Sequence, residues 1–267
     1  MSIVNKGLKG AIVGDIVGSK YEHHNIKTKE FPLFSLRNRF TDDTVMSVAV
    51  AKALMTSRKE DLDLNIELVS TMQAYGRVYS DAGYGKHFRE WIFSSNPQPY
   101  DSWGNGAPMR CSGAGMIASS AHEARDLGKD TARPSHNHEY ALTAAGLVSE
   151  MIYMANHGAD MDTLRALAEA EYEIPTCDEL RPDYYFHVSS QKTMPAVLAA
   201  FLESRSFEDA IRNAVSLGGD SDTIAAIAGS LAEAYWGIPD DIWLPASNYL
   251  DEHLLGVVCD FYRFANE

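Results

Sequence analysis

Apolar positions recur every three or four residues through most of this chain, which is the spacing of helices with a buried face. Strand-like alternation of apolar and polar residues is hard to find. Pro239 opens a last helix, because proline is favoured in a first helical turn. We therefore expect an all-α fold, with the other helices over Ile3–Ser19, Thr44–Ser57, Leu62–Tyr79, Ala107–Ala124, Tyr140–Asn156, Met161–Glu171, Lys192–Glu203, Phe207–Leu217 and Thr223–Trp236.

Three stretches rich in Gly, Pro, Asn and Ser interrupt the helical pattern, at 94–108, 129–137 and 174–190. None is of low complexity or carries a long charge run, so they are interpreted as functional loops within one fold. A chain of 267 residues exceeds the usual domain size, yet all-helical domains of this length occur. We expect a single domain over residues 1–267.

The first predicted helix carries glycines at three- and four-residue spacing: Gly7, Gly10, Gly14 and Gly18. This spacing places them on one helix face, where the absence of side chains lets another backbone approach closely. The pattern predicts a buried packing helix.

Composition narrows the class of protein but does not indicate a particular reaction. The chain is 45% hydrophobic and 22% charged, as in an ordinary globular protein, and its net charge of -14 argues against a nucleic-acid or anionic-membrane surface. Cys111, Cys177 and Cys259 are odd in number and widely spaced, which favours a reducing cytoplasm. No export or membrane-spanning segment is evident, and a monomer is expected.

Two short acidic sequences stand about 180 residues apart, each directly before a long helical pattern: Thr41-Asp42-Asp43-Thr44 and Asp220-Ser221-Asp222-Thr223. If the two helix starts converge, they form an all-oxygen cluster with four carboxylates. Such a cluster favours hard divalent cations, in this case two.

Helix capping is the alternative interpretation of each acidic sequence taken alone. Thr41 suits an N-cap, and acidic residues in a first turn complement the helix dipole. Two carboxylates on one turn exceed what capping needs, and neighbouring carboxylates repel unless a cation neutralises them. A shared metal site is the better joint interpretation.

Four segments resemble the signature stretches of the ADP-ribosylglycohydrolase family in their residues, in their order along the chain and in their spacing. They are Gly10–Glu22, Thr41–Thr44, Gly104–Arg110 and Gly218–Gly229. Shorter segments at 191–196 and 135–139 are also similar to segments of that family.

The resemblance implies a compact orthogonal bundle of helices with a binuclear Mg²⁺ or Mn²⁺ centre at the base of an ADP-ribose cleft. Thr44 and Ser221 would serve in capping, and Asp15 would be a structural residue that orders the metal shell from outside. Carried over position by position, the metal ligands would be Thr41, Asp42, Asp43, Asp220, Asp222 and Thr223.

The implied reaction is hydrolysis of the bond between C1″ of ADP-ribose and its acceptor. Asp43 or Glu22 would accept the proton of the attacking water. Glu22 matches an acidic residue on a mobile loop beside the metals in that family, whereas its position next to His23 and His24 alone would suggest a solvated glutamate.

The same resemblance implies residues that bind the diphosphate and the distal ribose, namely Gly83, Gly85, Ser102, Trp103, Gly104, Asn105 and His136. Glycines allow backbone N–H groups near phosphate, and an aromatic ring can stack on the base. His136 is equally well explained as a buried or capping histidine. Trp103 stands where the family often has tyrosine, and Ser135 where a threonine often precedes the histidine.

Two other classes of function stay open from the sequence. A two-metal carboxylate cluster also suits a phosphohydrolase of free nucleotides. A non-catalytic ADP-ribose binder or structural relative would place no demand on the acidic pairs. The acceptor, arginine, serine or another group, is not encoded in any motif.

Overall fold

The computed structural model describes residues 4–267, which form helices and a single isolated bridge between Gly104 and Ser189. A 3-10 turn covers Pro108–Arg110. The all-α prediction is confirmed. The helices are α1 (Leu8–Gly18), α2 (Asp42–Glu60), α3 (Leu64–Val78), α4 (Lys86–Phe93), α5 (Ser112–Ile117), α6 (Ala121–Ala132), α7 (Glu139–Asn156), α8 (Met161–Glu169), α9 (Cys177–Leu180), α10 (Ser190–Leu202), α11 (Phe207–Leu217), α12 (Ser221–Trp236), α13 (Asp240–Ser247) and α14 (Glu252–Ala265).

Helices α1 and α12 form the centre of the fold and pack backbone to backbone. A Cβ placed at Gly14 would lie 1.9 Å from the carbonyl oxygen of Ala225, and one at Gly10 would lie 2.1 Å from that of Gly229. Real atoms cannot approach so closely, so only glycine permits this contact. The close packing predicted from the glycine spacing is confirmed.

A buried carboxylate anchors the N-terminus of α1. Glu233, on α12, accepts hydrogen bonds from the backbone N–H groups of Gly7 and Gly10 at 3.1 and 2.6 Å. The Tyr262 hydroxyl donates to the same carboxylate at 2.7 Å. Negative charge at a helix N-terminus is favourable, because the first N–H groups lack partners within the helix.

Helix α2 begins at the first acidic motif. Thr41 is its N-cap and accepts the N–H of Asp43 at 3.3 Å, while Asp61 ends the helix in the left-handed conformation. Residues 43–51 are all buried, so this half of α2 lies inside the bundle.

The predicted helix 107–124 is wrong, because the chain is broken twice there. A 3-10 turn precedes the short helix α5, and Ala118 then takes an extended conformation. Ser120 starts a new helix by accepting the N–H of Glu123 at 3.1 Å. Helix α6 then runs to Ala132, into the predicted loop 129–137.

Three helices were not predicted. Helix α4 follows Gly85, the one-turn α9 starts from a capping box made by Thr176 and Glu179, and α14 starts from the Asp251 N-cap. Helix α1 begins at Leu8, later than predicted, and Ile3 lies outside the described residues. No helix within 4–267 has the length and apolar character that crossing a bilayer requires.

We predict that Gly14→Ala destabilises the protein by at least about 3 kcal/mol, because the new methyl group must separate two packed backbones. Gly256→Ala is the matched control. Gly256 is exposed in α14, and a Cβ added there would have no other atom within 4 Å. The control should gain about 0.5 to 1 kcal/mol from helix propensity. Urea denaturation measures both, and equal stabilities would contradict the packing argument.

Candidate active site

The candidate site lies where three helix ends meet: the C-terminal part of α1 and the first turns of α2 and α12. A Cβ at Gly18 would stand 2.5 Å from the Cα of Asp222, so α1 and α12 are in contact at this point. The two acidic motifs begin α2 and α12. They are therefore brought together, as the sequence predicts.

Asp15 joins α1 to the start of α2. Its carboxylate accepts the N–H and hydroxyl of Thr41 at 2.8 and 2.7 Å, and the N–H of Thr44 at 3.1 Å. The Thr44 hydroxyl donates to it as well. Four donors on one fully buried carboxylate fix the position of the first acidic turn. This agrees with the structural role expected for Asp15.

A direct hydrogen bond connects the two acidic motifs. The hydroxyl of Thr223 donates to Oδ2 of Asp43 at 3.2 Å. The other oxygen, Oδ1 of Asp43, is buried without a hydrogen-bond partner. A buried carboxylate oxygen needs a donor or a cation, so this atom fits a metal ligand.

Carboxylate oxygens form two groups that suit divalent cations. One group comprises Asp15, Asp43 and Asp222, and the other comprises Glu22, Asp220 and Asp222. Within each group the oxygens lie within 4.8 Å of one another. Asp222 belongs to both groups, so its carboxylate connects them.

Asp220 is positioned by an amide rather than used for capping. It stands at the N-cap of α12 but makes no side-chain capping hydrogen bond. Instead, Nδ2 of Asn105 donates to its Oδ2 at 2.7 Å and to the Thr193 hydroxyl at 3.3 Å. The capping alternative therefore does not account for this carboxylate.

Burial raises the pKa of every carboxyl group of the two motifs and of Asp15. The pKa is raised to about 6 for Asp15 and Asp220 and to about 8 for Asp42. It is raised well above 3.8 for Asp43 and Asp222, where repulsion from neighbouring carboxylates adds to burial. The cluster resists ionisation unless positive charge is supplied, as a divalent cation would do.

The loop that carries Glu22 is tied to the turn before Asp220. Nδ2 of Asn25 donates to the carbonyl oxygens of Tyr21, Glu22 and Gly219 at 2.7, 3.1 and 2.9 Å. Oδ1 of Asn25 accepts the N–H of Gly219 at 2.8 Å. One amide thus joins the Glu22 backbone to the second acidic motif, and Glu22 is partly buried beside it rather than fully solvated.

The remaining residues of the motifs lie around the cluster. The Thr41 hydroxyl donates to Oδ1 of Asp15 and, as the N-cap of α2, accepts the N–H of Asp43. Asp42 is partly buried and faces Gly83, where a Cβ would be 3.1 Å from its Oδ1. The Ser221 hydroxyl donates to the carbonyl oxygens of Tyr21 and Gly219 at 3.5 and 3.4 Å.

Two loops pair above the acidic cluster. The N–H of Asn105 donates to the carbonyl oxygen of Val188 at 2.8 Å, and that of Ser190 donates to the carbonyl oxygen of Trp103 at 3.0 Å. The Ser102 hydroxyl accepts the N–H of Gly104 at 3.3 Å. This pairing holds the predicted phosphate loop in place and leaves the Trp103 side chain 46% exposed.

His136 lies beside this loop, whereas Gly83 and Gly85 lie on the Asp42 side. A Cβ at Gly106 would be 3.1 Å from Nε2 of His136, and one at Gly104 would be 3.4 Å from it. Gly83 has φ +117, which favours glycine, while Gly85 caps α4 and a Cβ there would meet nothing.

Sequence reasoning missed two positioning contacts. Asn25 sits three residues after Glu22 in a loop without a motif, so nothing local indicates its bond to Gly219. The family resemblance places Asn105 in the loop around the diphosphate and distal ribose, and it gives no sign that its side chain contacts Asp220. Both contacts join segments more than 100 residues apart, which a single sequence does not encode.

We predict that the metal-free protein loses stability as pH rises from about 6 to about 8. Because the pKa values are raised, the folded state keeps protons that the unfolded chain releases near pH 4. This stabilisation is complete below the unfolded pKa and is lost as pH rises through the folded pKa. Thermal unfolding in EDTA should give a lower midpoint at about pH 8 than at about pH 6, and saturating Mn²⁺ should remove the decline.

The control for this pH series is a pair of substitutions. Asp43→Asn removes one buried carboxylate and should flatten the decline, whereas Asp162→Asn, at an exposed position in α8, should leave it unchanged. A metal-free midpoint that rises across the same interval would contradict the charge-cluster argument.

We predict that Asn25→Ala frees the backbone N–H of Gly219 for hydrogen exchange, because its acceptor is Oδ1 of Asn25. Amide exchange measured by NMR should accelerate at Gly219 in this variant. His24→Ala, an exposed change in the same loop, should leave it unchanged. Equal exchange rates in the two variants would show that Asn25 does not hold the loop.

Comparison with known proteins gives the same family throughout. The sequence model of the ADP-ribosylglycohydrolase family matches residues 4–257. The ADP-ribosyl-[dinitrogen reductase] glycohydrolase of Rhodospirillum rubrum is 29% identical over 76% of this chain and 70% of its own. ADP-ribosylhydrolase ARH3 of Xenopus tropicalis is 24% identical over 91% of both chains, and ADP-ribosylarginine hydrolase Tri1 of Pseudomonas putida (strain GB-1) is 25% identical over 86% and 70%.

A solved structure shares the fold. It is described as an ADP-ribosylglycohydrolase-related protein complex, has a TM-score of 0.72 and 25% identity, and the match covers 97% of this chain and 96% of that one. The helical bundle, the four matching segments and the family match over nearly the whole length agree. The chain belongs to the ADP-ribosylglycohydrolase family.

Proposed function

We propose that this protein hydrolyses the glycosidic bond between C1″ of ADP-ribose and the side chain of a modified protein. Its relatives are named as ADP-ribosylhydrolases, which supports the reaction class. The observation that carries the proposal is the buried Asp43–Thr223 hydrogen bond between the two acidic motifs, with Oδ1 of Asp43 left unpartnered.

Two Mg²⁺ or Mn²⁺ ions are the cofactors that this cluster fits. Asp43, Asp220 and Asp222 would hold them, with Thr41, Asp42 and Thr223 completing the ligand set expected from the family. When bound, the ions neutralise the carboxylates, orient the ribose hydroxyls and make a nearby water more acidic. The raised pKa values of the Asp43 and Asp222 carboxyl groups support this assignment, because burial and neighbouring carboxylates disfavour their ionised forms unless a cation is bound.

Proton transfer from the water is assigned to Asp43, with Glu22 as the other candidate base. Oδ1 of Asp43 has no partner in the protein and is available to accept a proton or a cation, while the Thr223 hydroxyl fixes its other oxygen. Glu22 lies with Asp220 and Asp222 in the second carboxylate group. The transition state builds positive charge at C1″ while charge accumulates on the leaving atom.

The paired loops and His136 form the proposed diphosphate side of the cleft. The N–H groups of Gly104 and Asn105 donate within the paired loops, to Ser102 and Val188, so these two residues would shape the phosphate side through their backbone positions. Trp103 offers an exposed ring to the base. Ser102, Gly83, Gly85 and His136 complete the expected binding set. We also propose that residues 1–267 act as one monomeric domain in the cytoplasm, with ADP-ribosylated protein as the partner.

Product analysis tests the reaction class. Arginine-linked and serine-linked ADP-ribosyl peptides are incubated with Mg²⁺ or Mn²⁺, and the products are separated by chromatography. Free ADP-ribose and unmodified peptide support the proposal and identify the acceptor. AMP would indicate a phosphohydrolase instead, and binding of ADP-ribose without any product would indicate a non-catalytic relative.

We predict that Asp43→Asn and Asp222→Asn each lower kcat by at least about 10³-fold with metal in excess, because each removes a ligand of the cluster. The Asp162→Asn control should keep wild-type kcat. Initial rates of ADP-ribose release measure all three variants. Near-normal turnover in either cluster variant would exclude the assigned centre.

A further inference from the structure

His136 is held by a buried side-chain network outside the acidic cluster. Nη2 of Arg110 donates to the hydroxyl of Ser135 at 2.9 Å, and that hydroxyl lies 2.8 Å from Nδ1 of His136. All three side chains are buried, with 5% or less of each residue exposed. The rings of Phe88 and Tyr100 lie 6.1 and 5.8 Å from the imidazole and confine its plane.

Donor and acceptor chemistry decides the direction of this network. A guanidinium only donates, so the Ser135 oxygen must accept from Arg110. If the second lone pair of this oxygen accepted from an Nδ1–H, the buried hydroxyl hydrogen would have no acceptor among the hydrogen bonds of residues 4–267. Donation of that hydrogen to Nδ1 of His136 satisfies both groups. A neutral imidazole that accepts at Nδ1 carries its proton at Nε2.

We propose that Arg110 and Ser135 are positioning residues that fix His136 as the Nε2–H tautomer, with this N–H directed to the Gly104–Gly106 turn for a phosphate oxygen of the ligand. The proposal deepens the proposed function and rests on it for the identity of the ligand. The tautomer itself is a property of the free protein.

The two glycines of this turn leave space beside Nε2 of His136. Nε2 of His136 lies so close to Gly106 that a Cβ there would be 3.1 Å away, and Gly104 is similarly placed. Among the hydrogen bonds of residues 4–267, none uses Nε2 of His136. Side chains at either glycine would fill the space that an oxygen atom needs in order to accept from this nitrogen.

The charge on Arg110 favours an anionic ligand at this place. Arg110 takes part in none of the ion pairs of residues 4–267, and its Nε and Nη1 are buried without hydrogen-bond partners. Nη2 also donates to the carbonyl oxygens of Thr131 and Ala132 at 3.3 and 3.4 Å. Burial and this neighbouring cation hold the pKa of His136 well below 6.5, so the ring stays neutral and keeps one acceptor and one donor.

The tautomer is read directly by ¹⁵N NMR of histidine-labelled, ligand-free protein, with His136 assigned by His136→Gln. We expect a protonated Nε2 and an unprotonated Nδ1 in the wild type. In Ser135→Ala the two nitrogens should move towards a mixture, and Ser135→Thr, which keeps the hydroxyl, should restore the wild-type spectrum. A protonated Nδ1 in the wild type would overturn the proposal.

The functional consequence is measured as affinity for ADP-ribose by isothermal titration calorimetry. Ser135→Ala should weaken binding about tenfold, as expected for one misdirected hydrogen bond to a charged group, while Ser135→Thr binds as the wild type does. In peptide hydrolysis the loss should lie in KM rather than kcat. Ser112→Ala is the matched control, because it removes another buried hydroxyl, one without a hydrogen-bond partner.

The outcomes separate this proposal from the proposed function. A fixed Nε2–H tautomer with weakened ADP-ribose binding in Ser135→Ala supports the positioning role even if no peptide is hydrolysed. Unchanged binding in Ser135→Ala overturns that role even if the wild type is an active hydrolase. If Ser135→Ala fails to fold, the wild-type spectrum and Ser135→Cys, which replaces the hydroxyl by a weaker donor of similar size, decide the matter.

Discussion

The close contact between α1 and α12 is the constraint on which the site depends. Glycines allow these backbones to touch, and at the end of the contact Gly18 lies against Asp222. Asp15, on the same helix, holds the first turn of α2 through four hydrogen bonds. Helix α1 therefore positions both acidic motifs, and its Asp15 adds a carboxylate to one of the two carboxylate groups. One added methyl group in the contact would separate the motifs and with them the carboxylate groups.

This architecture concentrates negative charge where the protein itself offers little compensation. The helix N-termini supply partial positive charge, and Asn105 and the threonines supply hydrogen bonds. These contacts do not outweigh burial, since the pKa values of the carboxyl groups are still raised. The buried carboxylates therefore lower the stability of the protein when no cation is bound. Such a local conflict is typical of functional sites, and here bound divalent cations would resolve it.

Much of this arrangement was predictable because short patterns in the sequence indicate it. The glycine spacing of α1 predicted a close helix contact, and the doubled carboxylates predicted a metal cluster, because each signal lies within a few neighbouring residues. The partner of α1 in that contact was not predicted, since α12 lies about 200 residues away in sequence. The break at Ala118 and the helices α4, α9 and α14 were missed, because short helices depend on caps and packing more than on periodicity. The contacts of Asn25 and Ser135 were missed as well, because each depends on which partner the folded chain brings near.

The turn 104–106 lies between the acidic cluster and the buried guanidinium of Arg110. Asn105 donates to Asp220 of the acidic cluster, while the glycines on either side face His136 and, through Ser135, the unpaired charge of Arg110. ADP-ribose has the complementary polarity in the proposed reaction, with positive charge developing at C1″ and a negative diphosphate beyond it. The Asn105 amide, which is neutral, satisfies Oδ2 of Asp220 on one side of the turn, and the Ser135 hydroxyl accepts from Arg110 on the other.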